Sequence, residues 1–260
     1  MQQFTSDNQT LSYNEIGTQG ADVQIIWGHG WGHTHKALQP LAESLGGYHH
    51  YLLDFPGFGE SPMPTENWDT NDYANFVAKF IEQLPPAKLR VWVGHSFGGR
   101  VGVQLGAKHS ALNNAFVFVA GAGLRRKLNP CKRAYLKCKV YFYKFCKNLC
   151  RFGFIKRSWL ESHFGSPDYR NAGALRPIFL NVIREHLADE AQRITAPTLL
   201  IYGEKDLETP PSMGEEYAKH ISDADLHILH GLDHYSVLGE GQQQTIYLIH
   251  KFIKNLLKSA

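Results

Sequence analysis

Runs of consecutive apolar residues recur along the chain, separated by segments whose apolar positions have helical spacing. Continuous apolar runs of this length fit strands that are buried on both faces of a parallel sheet. Six runs have this character: VQIIW from Val23, YHHYLLDF from Tyr48, LRVWVG from Leu89, NAFVFVAG from Asn114, PTLLIYG from Pro197 and DLHILHG from Asp225. Helical spacing is found at about 36–45, 70–84, 98–109, 211–221 and 241–258. This alternation predicts an α/β fold with helices on both faces of a mostly parallel central sheet.

One long gap interrupts the alternation. Between the strand predicted to end near Gly121 and the strand predicted to begin near Thr198, no segment has a convincing strand pattern, and the clearest pattern is helical. A helical insertion after one strand of such a sheet is expected to lie over the carboxyl ends of the strands, where open sheets place their sites. We therefore predict a core of residues 1–121 and 191–260 and a helical cap, or lid, of residues 122–190.

Charge is distributed unevenly around this predicted cap. The segment from Arg125 to Arg157 contains twelve Lys or Arg and no Asp or Glu. Because the whole chain has 27 basic and 24 acidic residues, the remainder carries 15 basic against 24 acidic residues, although the overall formal charge is only +3. An acidic body with a basic insertion points to an interaction at the cap rather than to nucleic-acid binding, because the body would repel nucleic acid and no recognition motif is present.

Bulk features exclude several other classes of protein. The polar N-terminus lacks the pattern of a signal peptide, and no apolar run approaches the ~20 residues that a membrane span requires. Four cysteines, Cys131, Cys138, Cys146 and Cys150, lack the paired C-x2-C spacing of a zinc site. We expect a cytoplasmic globular protein with reduced, mainly structural cysteines and no metal or other cofactor.

The candidate chemistry begins at the sequence Gly94-His95-Ser96-Phe97-Gly98, which follows a predicted strand and precedes a predicted helix. The pattern G-x-S-x-G in this context is typical of a nucleophile elbow, a sharp turn that exposes the serine hydroxyl. The flanking glycines leave room for the strained serine between strand and helix. Ser96 is therefore the candidate nucleophile.

A serine nucleophile needs a base and a carboxylate that orients the base. In the order Ser, acid, His that this elbow implies, the acid follows a strand end, where TLLIYGEKD ends at Asp206. No acidic residue lies between Glu82 and Glu161, so an acid directly after the next strand is excluded, and Glu204 and Glu208 are the alternatives to Asp206.

The base is expected after the last strand, where LHILHGLDHYS contains three histidines. His227 lies inside the predicted strand and His230 at its end, whereas His234 lies on the loop beyond Gly231. His234 is therefore the candidate base. The oxyanion of an acyl-transfer reaction needs backbone donors, and we expect the N–H groups of Phe97 and of Trp31 in the loop IIWGHGWGH to supply them.

Taken together, the stretches HGWG, DFPGFGES, GHSFGG, YGEKD and GLDHYS resemble the α/β-hydrolase superfamily over nearly the whole chain outside the insertion. HGWG and LDFPGFGES look most like the cap-bearing serine carboxylesterases that include pimeloyl–acyl-carrier-protein methyl ester esterase. The resemblance implies an α/β-hydrolase fold and hydrolysis of a small-molecule or acyl-carrier-bound ester through an acyl-enzyme on Ser96, with His234 as base and Asp206 orienting it.

Several alternatives stay open on the sequence. A carbon–carbon bond hydrolase, a thioesterase or a haloperoxidase-like enzyme has the same fold, and a non-catalytic receptor would retain the fold without the chemistry. The carbon–carbon bond hydrolases usually carry Asn two residues after the serine, where this chain has Gly98. A metal hydrolase is a further possibility because His29, His33 and His35 are close in sequence, but no carboxylate accompanies them.

The helical cap itself has an amphipathic pattern. Cys138, Phe142, Phe145 and Leu149 recur at helical spacing, and we expect this stripe to face inward, with Phe142 and Phe145 lining an acyl pocket. The basic residues fall largely opposite the stripe, at Arg133, Lys137, Lys144, Lys147 and Arg151. An acidic carrier protein that delivers the substrate is the partner we expect there, with an anionic membrane surface or no partner as the alternatives.

Overall fold

The structure is a computed structural model that describes residues 1–126, 130–152, 154, 156, 159 and 167–259. Within these ranges, the side chains of a few residues are not described: Pro130, Lys132, Arg133, Leu136, Lys137, Pro167 and Ser259. The predictions for Arg133 and Lys137, and part of the predicted cap, therefore lie outside what the structure describes.

The described strands form one eight-stranded sheet in the order β1-β2-β4-β3-β5-β6-β7-β8. The strands are β1 (Gln2–Ser6), β2 (Gln9–Gly17), β3 (Val23–Gly28), β4 (His49–Asp54), β5 (Leu89–His95), β6 (Ala115–Val119), β7 (Thr198–Gly203) and β8 (Ala224–Leu229). β2 pairs antiparallel with both β1 and β4, and all the other pairs are parallel. The sheet is therefore mostly parallel, as the sequence predicted.

All six predicted strands are present, but the sequence analysis missed the hairpin of β1 and β2. Asp7 and Asn8 form its two-residue turn, and both have positive φ, at 50° and 61°. A two-residue turn of this kind between alternating polar and apolar residues is a hairpin signal, which we did not use. The hairpin extends the sheet at one edge, away from the strands that carry the candidate site.

The described helices agree with the predicted helical segments to within a few residues. They are α1 (Gln39–Ser44), α2 (Thr70–Glu82), α3 (Phe97–Lys108), α4 (Pro130–Arg151), α5 (Pro167–Asn171), α6 (Arg176–Arg184), α7 (Ala188–Ala191), α8 (Pro211–His220) and α9 (Gln242–Ser259). None of the helices in the described ranges is long and apolar enough to cross a membrane.

Two apolar clusters cover the two faces of the sheet. Successive side chains of a strand point to opposite faces, so Ile25 and Trp27 of β3 belong to one cluster, while Ile26 belongs to the other. The inner strands β3, β4, β6 and β7 are buried along their whole length. This double burial is the physical reason that their sequences are continuous apolar runs.

The segment between β6 and β7 contains α4 to α7. Val119 of β6 still pairs with Ile201 of β7, so the insertion leaves the register of the two strands intact. The division of the chain into a core and a cap of residues 122–190 stays a prediction, because a helical segment between two paired strands does not by itself define a separate unit.

The orientation of α4 differs from the expected one. Cys138, Phe142 and Phe145 are exposed and Leu149 is half-buried, whereas Cys146 is buried, with 2% of its surface exposed. The inward side of α4 is therefore a narrow strip through Cys146, about a quarter of a turn from the apolar stripe. Hydrophobic spacing located the helix and its stripe, but that spacing does not determine which side of the helix packs inward.

Candidate active site

Ser96 lies between the end of β5 and the start of α3 and has φ 48° and ψ −102°. A positive φ is uncommon for a residue with a side chain and is retained where the surroundings enforce it. The two flanking glycines are part of that enforcement: a Cβ on Gly94 would meet the backbone of Gly98, and one on Gly98 would meet the carbonyl oxygen of Gly28. The structure thus has the local geometry of the predicted elbow at Ser96.

Two backbone N–H groups next to Ser96 are available to a ligand. Phe97 is the first residue of α3, so its N–H has no partner within the helix. Among the described residues, neither this N–H nor that of Trp31 has a hydrogen-bond acceptor. The two residues are close together, with their ring centroids 5.5 Å apart. Gly98 N donates to His29 O at 3.0 Å, which ties α3 to the Trp31 loop.

Asp206 and His234 form a buried pair. Nδ1 of His234 lies 2.7 Å from Oδ2 of Asp206, and both residues are almost fully buried. The other carboxylate oxygen accepts from the backbone N–H groups of Glu208 at 2.7 Å and Thr209 at 2.8 Å. Because the carboxylate can only accept, Nδ1 carries the proton and Nε2 is left as the nitrogen that can take one.

The hydrogen bonds around Asp206 determine its ionisation. Burial alone would raise the pKa of this carboxyl, but the hydrogen bond and charge of His234 and the hydrogen bonds of Thr209 outweigh burial and lower the pKa below its usual value. The Thr209 hydroxyl lies 2.7 Å from Asp206 Oδ2 and 3.0 Å from Ala120 O. Asp206 is therefore an anion at neutral pH, which suits it to orient and stabilise an imidazolium.

His95 connects the elbow to the loop that carries His234. Its Nε2 lies 3.1 Å from the backbone oxygen of His234, and the two ring centroids are 5.0 Å apart. Burial lowers the pKa of His95 to about 3, so the ring is neutral and its Nε2–H donates to that oxygen. The structure brings His234 next to the Ser96 turn in this way, although no hydrogen bond joins the Ser96 hydroxyl to His234 in the part of the chain described.

The alternative acids occupy other positions. Glu204 accepts a hydrogen bond from Gly231 N at 2.9 Å and lies 3.5 Å from His230, so its contacts stabilise the turn after β8. A carboxylate oxygen of Glu208 lies 3.5 Å from Nε2 of His234, the side of the ring opposite Asp206, and its side chain is half exposed. Only Asp206 contacts Nδ1 among these three carboxylates, and the geometry therefore favours it as the orienting acid.

The histidines of the HGWGHTH loop have structural partners. His29 accepts from Phe55 N at Nε2, 3.1 Å away, and its Nδ1–H donates to Gly30 O at 2.7 Å. Burial lowers the pKa of His29 to about 4, in keeping with a neutral ring. His35 Nδ1 lies 2.9 Å from the buried Asp54. With both nitrogens of His29 engaged, the loop does not present the three ligands that the metal-hydrolase alternative requires.

Part of the predicted cap reaches the site through Phe179 of α6. Its ring centroid is 5.1 Å from that of Trp31, the residue that carries one candidate oxyanion donor. Phe142 and Phe145 of α4, by contrast, are 55% and 59% exposed. In this arrangement they do not form the walls of an enclosed acyl pocket, and Phe179 is the residue of the predicted cap whose ring packs against Trp31.

Sequence reasoning missed Thr209 and His95 as parts of the site. Thr209 follows Asp206 by three residues, and an Asp that accepts from N–H groups two and three residues on forms a local turn that Asp favours, so the signal was present in the sequence DLET. His95 had no such signal, because its partner is the backbone of a residue far away in the chain.

Comparison with known proteins places this geometry in context. The model of the alpha/beta hydrolase family matches residues 25–245. A pimeloyl-[acyl-carrier protein] methyl ester esterase of Shewanella woodyi is 31% identical over 115 residues, 44% of this chain and 41% of the relative. The Vibrio cholerae protein of the same name is 26% identical over 234 residues, 78% of this chain and 83% of the relative.

Other relatives have different names. A 2-hydroxy-6-oxononadienedioate/2-hydroxy-6-oxononatrienedioate hydrolase of a Pseudomonas species is 22% identical over 88% of this chain and 87% of the relative. The crystal structure of the enol-lactonase from Burkholderia xenovorans superposes with a TM-score of 0.74 at 19% identity, over 97% of this chain and 100% of that one. The alignments with the Shewanella esterases span about two fifths of those relatives. With its family model matched over most of its length, the chain belongs to the alpha/beta hydrolase family.

Proposed function

We propose that this protein is a serine hydrolase that cleaves carboxylic esters through an acyl-enzyme on Ser96. The observation that carries the proposal is the buried hydrogen bond between Asp206 and Nδ1 of His234, on a loop that His95 holds against the Ser96 turn. This bond leaves Nε2 of His234 as a base, and the positive φ of Ser96 presents a hydroxyl at the carboxyl edge of the sheet.

The reaction follows from these positions. His234 Nε2 takes the Ser96 proton as the oxygen attacks the ester carbonyl, and the backbone N–H groups of Phe97 and Trp31 donate to the developing oxyanion. His234 then gives the proton to the alcohol that leaves, which forms the acyl-enzyme. Water attacks the acyl-enzyme, His234 takes a proton from that water and returns it to Ser96, and the carboxylic acid is released.

A burst experiment with p-nitrophenyl acetate tests the proposal. The wild-type protein should release p-nitrophenol in a burst whose size equals the enzyme concentration, followed by a slower steady rate, if acylation precedes hydrolysis. Ser96→Ala should abolish the burst, and mass spectrometry of the wild-type protein treated with p-nitrophenyl acetate should find an acetyl group on Ser96 only. A protein that shows neither burst nor labelling, but binds ligands, would be a non-catalytic receptor on this fold.

A matched histidine pair provides the control. His227→Ala alters a partly exposed histidine on β8 that contacts Asp225, and this variant should retain the burst. His234→Ala should lose it. The burst could occur with thioesters, or with substrates cleaved at a carbon–carbon bond, and not with oxygen esters. In that case the proposed substrate class is wrong, but the assignment of Ser96 as the nucleophile stands.

A carrier-bound ester is the more specific substrate that we propose within this class. The observation in its favour is that the Shewanella and Vibrio relatives are named as esterases of pimeloyl-[acyl-carrier protein] methyl ester. The kcat/KM for such a carrier-bound ester should exceed that for the methyl ester of the free acid. Equal values for the two substrates would leave a small-molecule esterase.

A further inference from the structure

The helix α4 presents two different exposed faces side by side. Residues in a helix advance by about 100° each, so Tyr141 and Phe145 lie on one face, while Lys144, Lys147 and Arg151 lie on the adjacent one. Tyr141 and Phe145 are 69% and 59% exposed, and all three basic residues are exposed. Lys144 Nζ lies 5.9 Å from the centroid of the Tyr141 ring, where the two faces meet.

Large apolar side chains continue beyond the end of this helix. Phe152 and Phe154 are 74% and 78% exposed. Single exposed aromatic residues are common on protein surfaces, but a series along one 22-residue helix and its continuation is not. The inward strip through Cys146 is separate from this face, so packing of α4 on the protein does not account for it.

Charge identifies what fits such a surface. From Arg125 to Arg157 the chain has twelve basic and no acidic residues, so this stretch of the chain attracts anions. A purely acidic protein partner would match the basic face but would leave the aromatic face in water. An anionic bilayer matches both, because its headgroups attract Lys and Arg and its interfacial region accepts aromatic rings.

We propose that α4, together with Phe152 and Phe154, is a surface on which this protein binds anionic lipid bilayers. In that position the basic residues lie among the lipid headgroups, and Tyr141, Phe145 and Phe152 insert at the boundary of the acyl chains. Two kinds of attraction act together, as stable peripheral binding requires. The inference is independent of the catalytic proposal, because it concerns a surface and not the Ser96 site.

Co-sedimentation of the full chain with vesicles tests the inference. The probes are vesicles of phosphatidylcholine alone and of phosphatidylcholine with 30% phosphatidylglycerol, both at low salt. Binding should be at least about tenfold stronger to the anionic vesicles and should weaken as salt is added, because exposed charges are screened over ~10 Å at 0.1 M. No difference between the two vesicle types would overturn the inference.

Matched variants assign the binding to α4. Lys144→Glu with Lys147→Glu should reduce binding to anionic vesicles about tenfold or more, since each basic residue near the surface contributes. Lys251→Glu with Lys254→Glu repeats the same charge change and spacing on the exposed side of α9 and should have much less effect. Equal loss in the two double variants would mean that net charge, and not α4, determines binding.

The aromatic face has its own test. Tyr141→Ser with Phe145→Ser should weaken vesicle binding at every salt concentration, whereas Tyr247→Ser, an exposed tyrosine on α9, should not. If the double variant retains vesicle binding but has a changed acyl-chain preference, the aromatic face contacts the substrate and the lipid inference is wrong. The wild-type protein could instead bind a purified acyl carrier protein and not bind vesicles, while the double lysine variant binds neither. That result would show that the partner of α4 is a carrier protein and not a bilayer. Ester hydrolysis measured on the same samples reports separately on Ser96.

Discussion

The loops at the carboxyl edge of the sheet and the helix α4 are built in opposite ways. In the loops, polar groups are buried and bonded to identified partners: Asp206 accepts from three N–H groups, and His29 uses both ring nitrogens. On α4, apolar and charged side chains lie side by side and are exposed. The contrast shows that a buried polar network fixes one geometry, whereas an exposed amphipathic helix leaves its partner to be found outside the molecule.

The largest expected effect tests whether the buried network performs chemistry. Ser96→Ala and His234→Ala should each lower the kcat for ester hydrolysis by about 10⁴-fold or more, because the members of a triad act as a unit. Asp206→Asn should cost about 10⁴-fold, because the amide would favour the wrong tautomer of His234. Turnover of purified variants measures this, with circular dichroism to confirm folding.

The control for that prediction is Glu204→Gln, which changes a neighbouring carboxylate that bonds to the turn at Gly231. This variant should retain most of the activity. Near-normal turnover in Asp206→Asn together with a large loss in Glu208→Gln would show that the acid has been assigned to the wrong residue.

The second prediction compares phenylalanines in the two regions. Phe116→Ala removes a fully buried ring from the sheet core and should lower the free energy of unfolding by about 3–5 kcal/mol. Phe145→Ala changes an exposed ring and should shift it by no more than about 0.5 kcal/mol. Urea denaturation measures both values. A large loss in Phe145→Ala would show that the aromatic face of α4 packs on the protein after all.

The third prediction concerns acid. His29 and His50 have a pKa lowered to about 4 and His95 to about 3, in each case chiefly by burial. Above the ordinary histidine pKa near 6.5 both folded and unfolded chains are neutral at these sites, but below it only the unfolded chain gains protons. Stability should therefore fall between about pH 6.5 and 4, by up to about 1.4 kcal/mol per pH unit for each ring.

A pair of single variants isolates one ring. His50 accepts from Trp27 Nε1 and donates to Leu45 O, whereas the side chain of His230 is 90% exposed. His50→Gln should make the fall of stability between pH 6.5 and 4 shallower by up to about 1.4 kcal/mol per pH unit, and His230→Gln should not. An unchanged slope in both would refute the assignment of acid sensitivity to buried neutral histidines.

The smallest expected effect is on salt dependence. If a carrier-bound ester docks by charge, its kcat/KM should fall several-fold with added salt while that of a small neutral ester stays constant. Lys144→Glu with Lys147→Glu should produce the same selective loss. An equal response of both substrates would show that α4 does not bind the carrier. The vesicle-binding experiments would then be the test of what α4 binds.

Local patterns in the sequence predicted most of the fold. Continuous apolar runs identified six of the eight strands, and four of these, β3, β4, β6 and β7, are buried along their whole length. The hairpin of β1 and β2 was missed because its strands are only partly buried at a sheet edge and lack a continuous apolar run. The rotation of α4 was wrong for a different reason: its apolar stripe is real, but a stripe does not by itself determine which side of the helix packs inward.

The candidate site divides in the same way. Ser96, Asp206 and His234 were predictable because each follows a strand end in a recognisable local pattern. The turn that places Thr209 has a local signal in DLET, but the contact of Thr209 with Ala120 and that of His95 with the backbone of His234 are long-range and leave no local pattern. Residues that hold a site together are therefore harder to predict than the residues that carry its chemistry.

The parallel pairing of β6 with β7 has a consequence for how the chain tolerates change. Residues 120–197 form a loop closed by this pairing, and the entropy of closing a flexible loop grows only with the logarithm of its length. Doubling such a loop costs only ~0.6 kcal/mol. Added residues in the exposed part of this segment, such as α4, should therefore cost little stability, whereas Ile178, Val182 and Ile194 of the same segment pack into the core and cannot be deleted at so small a cost. The exposed part can diversify in length and surface while the strand ends that carry Ser96 and Asp206 stay in place.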